Sequence, residues 1–350
     1  DEDSFVLDYP DYDDILKRYK EQGILTKSQA IEAIDNTLIF DEAEPIELDF
    51  EFKLPKIFKE DSTSHLRRII LEEFKKKIPY RTMPNEMTKK YIEAINYEYN
   101  IIIKCHMEDY FLLDYYIVKK AVENYGAILT RTGRGSAVSF LINYLLVFTQ
   151  IDRLRSPIKL YPTRFMSAER ILNTRSLPDI DLNWADVKPV LKASKDYLGD
   201  DGVYYMVSYK PLQESSAFRL WCKAKGMHVS EYNEVAKDLD LYKDDKKWNN
   251  LIQESKAFIG VIESISPSPC SVLLLDKPIS EEVGLIKVGD VMCCALDGYY
   301  CDYYKFLKND YLIVSVYTLI NETYKLIGRP IDDISTLLKN CDDKVWDLIG

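Results

Sequence analysis

The chain has 350 residues, of which 47% are hydrophobic and 29% charged, and its formal net charge is −11 at pH 7. A chain of this length and hydrophobic content can bury a sizeable core and is expected to form two or more lobes. The acidic balance argues against a surface that coats nucleic acid throughout, and no apolar run approaches the roughly 18 residues of a membrane-spanning helix.

Cysteine and histidine usage argues against several kinds of site. The seven cysteines show no C-x-x-C spacing, and the three histidines are scattered along the chain. This pattern disfavours a zinc ribbon, a disulfide scaffold and a histidine-based metal site, and it is typical of reduced thiols in the cytoplasm. The acidic N-terminal segment does not resemble a signal peptide. Because the chain opens on Asp1 rather than Met, we interpret it as an excerpt of a longer polypeptide.

The first third of the chain is predicted to be mainly helical. Two short helices are expected at Asp14–Gln22, with Gly23 as its end, and at Lys27–Asn36. The alternation of apolar and charged residues between Pro45 and Pro55 predicts an exposed strand. Apolar residues at helical spacing then predict three longer helices, which begin at Ser64, after Pro84 and at residue 108.

A glycine-containing turn at Thr130–Ser136 is predicted to lead directly into an apolar helix. Gly133 and Gly135 would let the backbone approach a ligand closely, and the free amides at a helix start attract phosphate. Arg134 would add a forked hydrogen-bond donor. The turn matches neither a P-loop nor a dinucleotide fingerprint, so an ordinary glycine turn capped by Ser136 is the alternative.

The segment around Asp179, Asp181 and Asn183 is the strongest candidate for a metal-binding site. In a strand, residues two apart share a face, so both carboxylates would project together while Ile180 and Leu182 are buried behind them. Two like charges at that spacing disfavour each other unless a cation lies between them, and Mg²⁺ suits such oxygen ligands. A solvated strand edge or turn has the same pattern, so the motif gains weight only from its surroundings.

Basic residues cluster on both sides of this segment. Arg164, Arg170 and Arg175 precede it, and the stretch 204–226 holds four basic residues against the single acid Glu214. A phosphate-binding groove and a solvated helix face are both compatible with this distribution. The basic residues of the stretch are Lys210, Arg219, Lys223 and Lys225.

In the last third, strands are predicted at Ala257–Ile265, Val272–Leu275 and Val291–Leu296, with a turn at Ser266–Cys270 between the first two. Asp310 then lies among apolar neighbours, with Lys308 on the same face if the segment is extended. A lone aspartate in such a position is commonly a turn or cap residue. An apolar helix is predicted over residues 311–326.

Five motifs together resemble a known family. They are Tyr110-Phe-Leu-Leu, Gly133-Arg-Gly-Ser-Ala137, Arg164-Phe-Met-Ser-Ala-Glu-Arg170, Pro178-Asp-Ile-Asp-Leu-Asn183 and Leu307-Lys-Asn-Asp310. Their order and spacing resemble the bacterial replicative DNA polymerase III alpha subunit, a C-family polymerase, from about residue 14 to the end. The resemblance implies an α+β fold, in which a polymerase-beta-like nucleotidyltransferase palm of mixed sheet and helices carries an inserted helical thumb.

The resemblance also implies a division into domains. Residues 1–45 would be the C-terminal tail of a PHP domain, and residues 46–190 and 257–326 would be the two segments of the palm. Residues 191–256 would be the thumb. Residues 327–350, around Asp342-Asp343, would be the start of the fingers.

The implied activity is DNA-templated DNA synthesis, by two-metal nucleotidyl transfer from a dNTP to the primer 3′-hydroxyl. The residues that would bind two Mg²⁺ ions, or Mn²⁺ in their place, are Asp179, Asp181 and Asp310, with Asp302 and Asp297 the next candidates for the third position. The nucleotide-binding residues would be Gly133, Arg134, Gly135, Ser136 and Lys308. The residues that would contact the DNA duplex are Lys210, Arg219, Lys223 and Lys225. Implied partners are primer-template DNA, dNTP and, through other parts of a parent chain, a sliding clamp and other replisome proteins.

The chain departs from the family pattern at several positions. Asn183 stands where many members carry a third acid, and Ser268-Pro-Cys-Ser271 replaces a histidine-containing turn. These departures predict a divergent member from the cytoplasm of a bacterium or a phage-infected cell. Two other hypotheses stay open, an untemplated nucleotidyltransferase of the same palm fold and an inactive polymerase-derived DNA-binding lobe. Because most of the fingers would be missing, we expect residues 1–350 alone to polymerise weakly or not at all.

Overall fold

The computed structural model describes residues 8–41, 43–45, 47–130, 135–332 and 344. They divide into two compact units, Asp1–Asp49 and Phe50–Gly350. The first unit contains helices α1 (Tyr12–Gln22) and α2 (Lys27–Asp35), and a side chain caps the start of each. Both predicted helices are confirmed, and α1 ends at Gly23, whose left-handed conformation (φ 70°) favours glycine.

The segment between Pro45 and Pro55 is not the predicted strand. Among its described residues the one bridge joins Lys53 to Phe306. The apolar alternation has another cause, since Phe52 and Leu54 pack against the core of the second unit whereas Glu51 is exposed. Proline at both ends removes backbone donors that a ladder would need.

Three long helices supply much of the core of the second unit: α3 (Ser62–Lys77), α4 (Asn85–Lys104) and α5 (Glu108–Tyr125). All three predicted helices are confirmed. Ten of the 18 residues of α5 are buried, including Asp114, so this helix lies in the middle of the fold rather than at its surface. The other helices are α6 (Leu141–Leu145), α7 (Ala168–Thr174), α8 (Lys188–Leu198), α9 (Glu214–Ala224), α10 (Val229–Tyr232), α11 (Lys246–Ser255), α12 (Ile279–Glu282), α13 (Gly298–Tyr303) and α14 (Val316–Leu326).

A six-stranded mixed sheet packs with these helices, and the predicted α+β class is confirmed. The strands are β1 (Leu182–Trp184), β2 (Val203–Pro211), β3 (Ile262–Leu274), β4 (Leu285–Val288), β5 (Val291–Cys294) and β6 (Lys308–Ile313). Their order in the sheet is β1-β6-β3-β2-β5-β4. The β1–β6 and β2–β5 pairs are parallel, and the others are antiparallel.

The ribbon formed by β2 and β3 corrects two expectations. β2 was not predicted, and the predicted turn at Ser266–Cys270 is instead part of one long strand, β3. Tyr205 pairs with Val272 and Val207 with Pro267, so residues 268–271 form a bulge opposite a single residue of β2. Proline residues in this stretch cannot donate to the ladder, which explains why pairing is interrupted there without a reversal of the chain.

Residues 212–261 form a helical insert between β2 and β3. The insert contains α9, α10 and α11 around a small core of its own, which includes Phe218, Tyr232 and Ile252. Its two ends meet, because Leu212 N–H donates to Val261 O at 2.8 Å and Gly260 N–H donates to Leu212 O at 2.9 Å. The polypeptide chain therefore connects the insert to the sheet through the β2–β3 ribbon.

The predicted helix over residues 311–326 begins later than expected. Its first residues belong to β6, which ends at Ile313, and α14 starts at Val316. Tyr311 is completely buried. The first apolar residues of the predicted helix therefore belong to a buried strand. Asp310 consequently lies inside a strand. Among the described residues, no helix is both long and apolar enough to cross a membrane.

Candidate active site

The two aspartates of the Asp-x-Asp segment lie just before a strand rather than inside one, since β1 begins only at Leu182. The predicted alternation still holds: Ile180 and Leu182 are buried, whereas Asp179 is exposed and Asp181 half-buried. Asn183, which was expected on the aspartate face, is also buried. Its carbonyl oxygen accepts a hydrogen bond from Thr130 N–H at 2.8 Å, so the chain entering the glycine loop runs beside β1.

The register between β1 and β6 brings the third aspartate to the same place. Leu182 pairs with Tyr311 in this parallel pair. Extended by one residue, just before β1, this register places Asp181 opposite Asp310, and parallel neighbours of equal parity point to the same face. Residues more than 120 positions apart in the sequence are thus assembled into one acidic edge.

Asp310 is held from the other side by β3. Ser271 is its register partner, and the Ser271 hydroxyl donates to Asp310 Oδ1 at 2.6 Å. Ser271 is in turn fixed by the bulge, because its N–H donates to the Ser268 hydroxyl at 3.0 Å. Sequence reasoning noted the Ser268–Ser271 stretch as a departure from the family turn but did not assign Ser271 to the site.

The electrostatics of the site come from crowded carboxylates and one lysine. Desolvation raises the pKa of Asp179, and the neighbouring carboxylates of Asp302, Asp310 and Asp181 raise it further, against the opposing effect of Lys308. Burial alone would lower the pKa of Lys308, but Asp302, Asp179 and Asp310 outweigh burial and raise it. Lys308 Nζ lies 3.3 Å from Asp302 Oδ2. The acidic edge therefore already attracts positive charge.

A cavity of about 380 Å³ opens beside Asp179. Arg170 and Arg175 lie in its wall, where the Arg175 guanidinium also pairs with Glu51 at 2.6 Å. The sequence analysis noted these arginines as a basic cluster compatible with either a phosphate-binding groove or a solvated helix face. The lining residues are Phe52, Ser136, Phe165, Arg170, Arg175, Ser176, Leu177, Pro178, Asp179, Asp302, Lys305 and Phe306.

The described end of the glycine loop contacts the acidic edge directly. Gly135 has φ +65°, and a Cβ built on it would lie 2.1 Å from Asp181 Oδ2. Only glycine leaves room for this approach of backbone to carboxylate. Ser136 lies in the cavity wall, whereas Gly133 and Arg134 lie outside the described residues.

The helix expected to begin at this loop is much shorter than predicted. A 3-10 turn at Ala137–Ser139 is followed by an extended Phe140 and the five-residue α6. A buried carboxylate already lies at the start of α6, because Glu98 Oε2 accepts from Ile142 N–H at 2.9 Å. Burial raises the pKa of Glu98 to about 7, although Arg153, 2.6 Å away, opposes the shift. An internal acid thus occupies the start of α6 at Ile142, six residues beyond Ser136.

The predicted duplex-contacting residues lie on the helical insert and the ribbon, apart from the acidic edge. Lys210 on β2 pairs with Glu263 at 3.4 Å, and Lys225 pairs with Glu254 at 3.4 Å. Arg219 and Lys223 are one turn apart on α9. Lys210, Lys223 and Lys225 are exposed. Two of the four therefore have an acidic neighbour that offsets their charge.

The chemistry of the acidic edge fits a hard divalent cation. Asp179, Asp181 and Asp310 offer carboxylate oxygens, and their mutual repulsion is what a cation would relieve. Within the described ranges, no three acidic, histidine or cysteine side chains are already arranged as a metal cluster. The donors are of the right type, and binding would require their side chains to converge.

Comparison with known proteins decides the family. The family model described as "Bacterial DNA polymerase III alpha NTPase domain" matches residues 64–313, which include β1, β6 and the glycine loop. The chain belongs to the bacterial DNA polymerase III alpha family. The predicted resemblance is thereby confirmed.

Curated relatives of the chain carry the same description. It is 25% identical over 303 residues to "DNA polymerase III subunit alpha" of Ureaplasma parvum, with 80% of this chain and 30% of the relative covered. The protein of that name from Bacillus subtilis is 27% identical over 330 residues, 85% of this chain and 28% of the relative. That of Saccharopolyspora erythraea is 24% identical over 393 residues, covering 100% of this chain and 32% of the relative. The chain spans about a third of the length of these relatives.

Proposed function

We propose that this chain supplies the palm and thumb of a DNA-templated DNA polymerase. The observation that carries the proposal is the placement of Asp179, Asp181 and Asp310 at one edge of the sheet, beside a cavity with basic walls. Membership of the DNA polymerase III alpha family supports it. In this proposal the mixed sheet is a polymerase-beta-like palm, and the helical insert at 212–261 makes up most of the thumb, which was predicted at 191–256.

The remaining domain assignments belong to the same proposal. Residues 46–190 and 257–326 contribute the two palm segments, and residues 1–45 are the tail of a PHP domain. Residues 327–350 begin the fingers, and most of them lie outside the described residues. The proposed partners are primer-template DNA and dNTP, with a sliding clamp and other replisome proteins bound elsewhere on a longer polypeptide.

Asp179, Asp181 and Asp310 would hold two Mg²⁺ ions, or Mn²⁺. When bound there, such ions lower the pKa of the primer 3′-hydroxyl and neutralise the charge that develops on the departing pyrophosphate. The hydroxyl loses its proton to water and its oxygen attacks the α-phosphorus of the dNTP. The bond from that phosphorus to the bridging oxygen breaks, and pyrophosphate leaves with the electron pair. The protein's own contribution is to orient the two reactants and to keep water out.

The cavity beside Asp179 is the proposed binding place for the triphosphate. Arg170, Arg175 and Ser136 in its walls are donors suited to phosphate oxygens, and Lys308 lies on the acidic side. Gly133, Arg134 and Gly135 of the loop belong to the same proposed site. Charged donors placed where phosphate charge develops stabilise the transition state more than the ground state.

The test is primer extension with a full-length protein that contains this chain, in the presence of Mg²⁺. Asp181→Asn is expected to abolish extension, because it removes a carboxylate from the acidic edge. Asp290→Asn, an equal loss of charge at an exposed position in the β4–β5 hairpin, is expected to leave extension unchanged. Incorporation that ignores the template sequence would favour an untemplated nucleotidyltransferase. Absence of synthesis by the unaltered protein would favour an inactive DNA-binding lobe.

A further inference from the structure

Two polar side chains of α5 lie buried directly behind the acidic edge. Tyr110 and Asp114 are one helical turn apart, with exposures of 2% and 0%. Each one bonds to a different segment of the site, and neither faces the cavity. Burying a polar group costs free energy unless the group is hydrogen-bonded, so the hydrogen-bond partners of these two side chains indicate their role.

The Tyr110 hydroxyl bridges the backbone on both sides of Asp179. It donates to Pro178 O at 3.0 Å and accepts from Ile180 N–H at 3.2 Å. Burial raises the pKa of Tyr110 well above its ordinary value, so the hydroxyl keeps its proton. Because β1 begins only at Leu182, this side chain supplies hydrogen bonds that a neighbouring strand would otherwise provide.

Asp114 holds the segment that carries the third aspartate. Asn309 Nδ2 donates to Asp114 Oδ1 at 2.5 Å, and Asn309 is the β6 residue between Lys308 and Asp310. Within the described residues, Asp114 Oδ2 and Asn309 Oδ1 have no hydrogen-bond partner. Both atoms are acceptors when the acid is ionised. One proton on Asp114 Oδ2 would satisfy both by forming a cyclic acid–amide pair.

We propose that Tyr110 and Asp114 are positioning residues, which fix the Asp-x-Asp segment and β6 relative to each other from one rigid helix. Tyr110 sets the backbone around Asp179, and Asp114, as a neutral acid, sets Asn309 and hence Lys308 and Asp310. The consequence for turnover rests on the proposed polymerase function, whereas the effect on backbone placement does not. A buried scaffold of this kind keeps carboxylates in place without contacting substrate.

The Tyr110 half of the proposal is tested by a matched pair of variants. Tyr110→Phe removes the bridge, whereas Tyr115→Phe removes a comparable bond from the same helix, the 3.1 Å bond to Glu73 away from the site. In the full-length protein, Tyr110→Phe is expected to lower kcat roughly tenfold to hundredfold with KM for dNTP unchanged. Faster amide hydrogen exchange is expected in residues 179–182. Tyr115→Phe is expected to change neither quantity.

The Asp114 half is tested by rescue. Asp114→Asn keeps the cyclic pair, since an amide can donate to Asn309 Oδ1 and accept from its Nδ2, and is expected to retain kcat. Asp114→Leu is expected to lower kcat as Tyr110→Phe does and to speed exchange at 307–311. If Asp114→Leu does not fold, Asp114→Asn still tests this half of the proposal. Loss of kcat in Asp114→Asn would overturn the neutral-acid role.

The exchange measurement separates this inference from the proposed function. Amide exchange at 179–182 that is the same in Tyr110→Phe, Tyr115→Phe and the unaltered protein would overturn the positioning role, whatever the activity. Exchange that changes as expected in a protein without templated synthesis would uphold the positioning role and refute the polymerase proposal.

Discussion

Gly135 offers the sharpest test of how tightly the acidic edge is built. A Cβ at this position would lie 2.1 Å from Asp181 Oδ2, whereas ordinary contacts begin near 3.4 Å. The carboxylate would therefore have to retreat by about 1 Å, a displacement that typically costs about a hundredfold in rate. We expect Gly135→Ala to lower kcat of primer extension by about that factor.

The backbone strain of the same substitution can be measured separately. Gly135 has φ +65°, and an alanine held in that region costs about 1–2 kcal/mol. Gly126, at the end of α5, has φ +64° with nothing within 4 Å of a Cβ. Gly126→Ala therefore carries the strain without the clash and serves as the matched control.

The assay compares single-turnover extension rates and unfolding temperatures of the two variants in the full-length protein. Both are expected to lose similar stability, and only Gly135→Ala is expected to lose the chemical step. Equal activity in the two variants would refute the reasoning, because it would mean that Asp181 can move by an ångström without consequence. A loss of stability confined to Gly135→Ala would assign the effect to folding instead.

Three further predictions concern other parts of the fold. Ser271→Ala is expected to lower kcat about tenfold, because it removes a charge-assisted bond to Asp310, and an unchanged rate would contradict this. Burial raises the pKa of Asp114 from 3.8 to about 7, so the native state binds this proton more tightly. The free energy of unfolding should therefore fall as pH rises through that window, and Asp114→Asn should weaken the fall in denaturant titrations. Lys223→Ala is expected to reduce the number of counterions released on duplex binding by about one, measured as the slope of log K against log salt concentration. Lys225→Ala is expected to reduce it by less, because Lys225 is paired with an acid.

Local patterns of the sequence were sufficient for the parts of the fold that depend on near neighbours. The helices from α1 to α5 follow from apolar spacing and caps, and the burial of Ile180 and Leu182 follows from parity alone. Parity survives although Asp179 and Asp181 lie outside the strand, because Ile180 and Leu182 still belong to the buried core. The identity of the family could also be predicted, since its motifs keep their order.

What the sequence did not reveal depends on long-range pairing. Whether residues 266–270 form a turn or a bulge is decided by how β3 pairs with β2, and β2 itself was hidden in a stretch interpreted as basic and helical. Ser271 became a neighbour of Asp310 only through the β3–β6 register. Likewise, no local signal indicates that Glu98, more than 40 positions earlier, lies at the start of α6.

The closed ends of the helical insert have a consequence for how this part of the molecule can change over evolution. Leu212 bonds to Gly260 and Val261, so the chain leaves and re-enters the sheet at adjacent points. Segments with adjacent ends tolerate lengthening, shortening and exchange, because the remaining chain can be closed by a tight turn. The insert can therefore change in length and sequence as a unit, while the strands that align Asp181 and Asp310 keep their register.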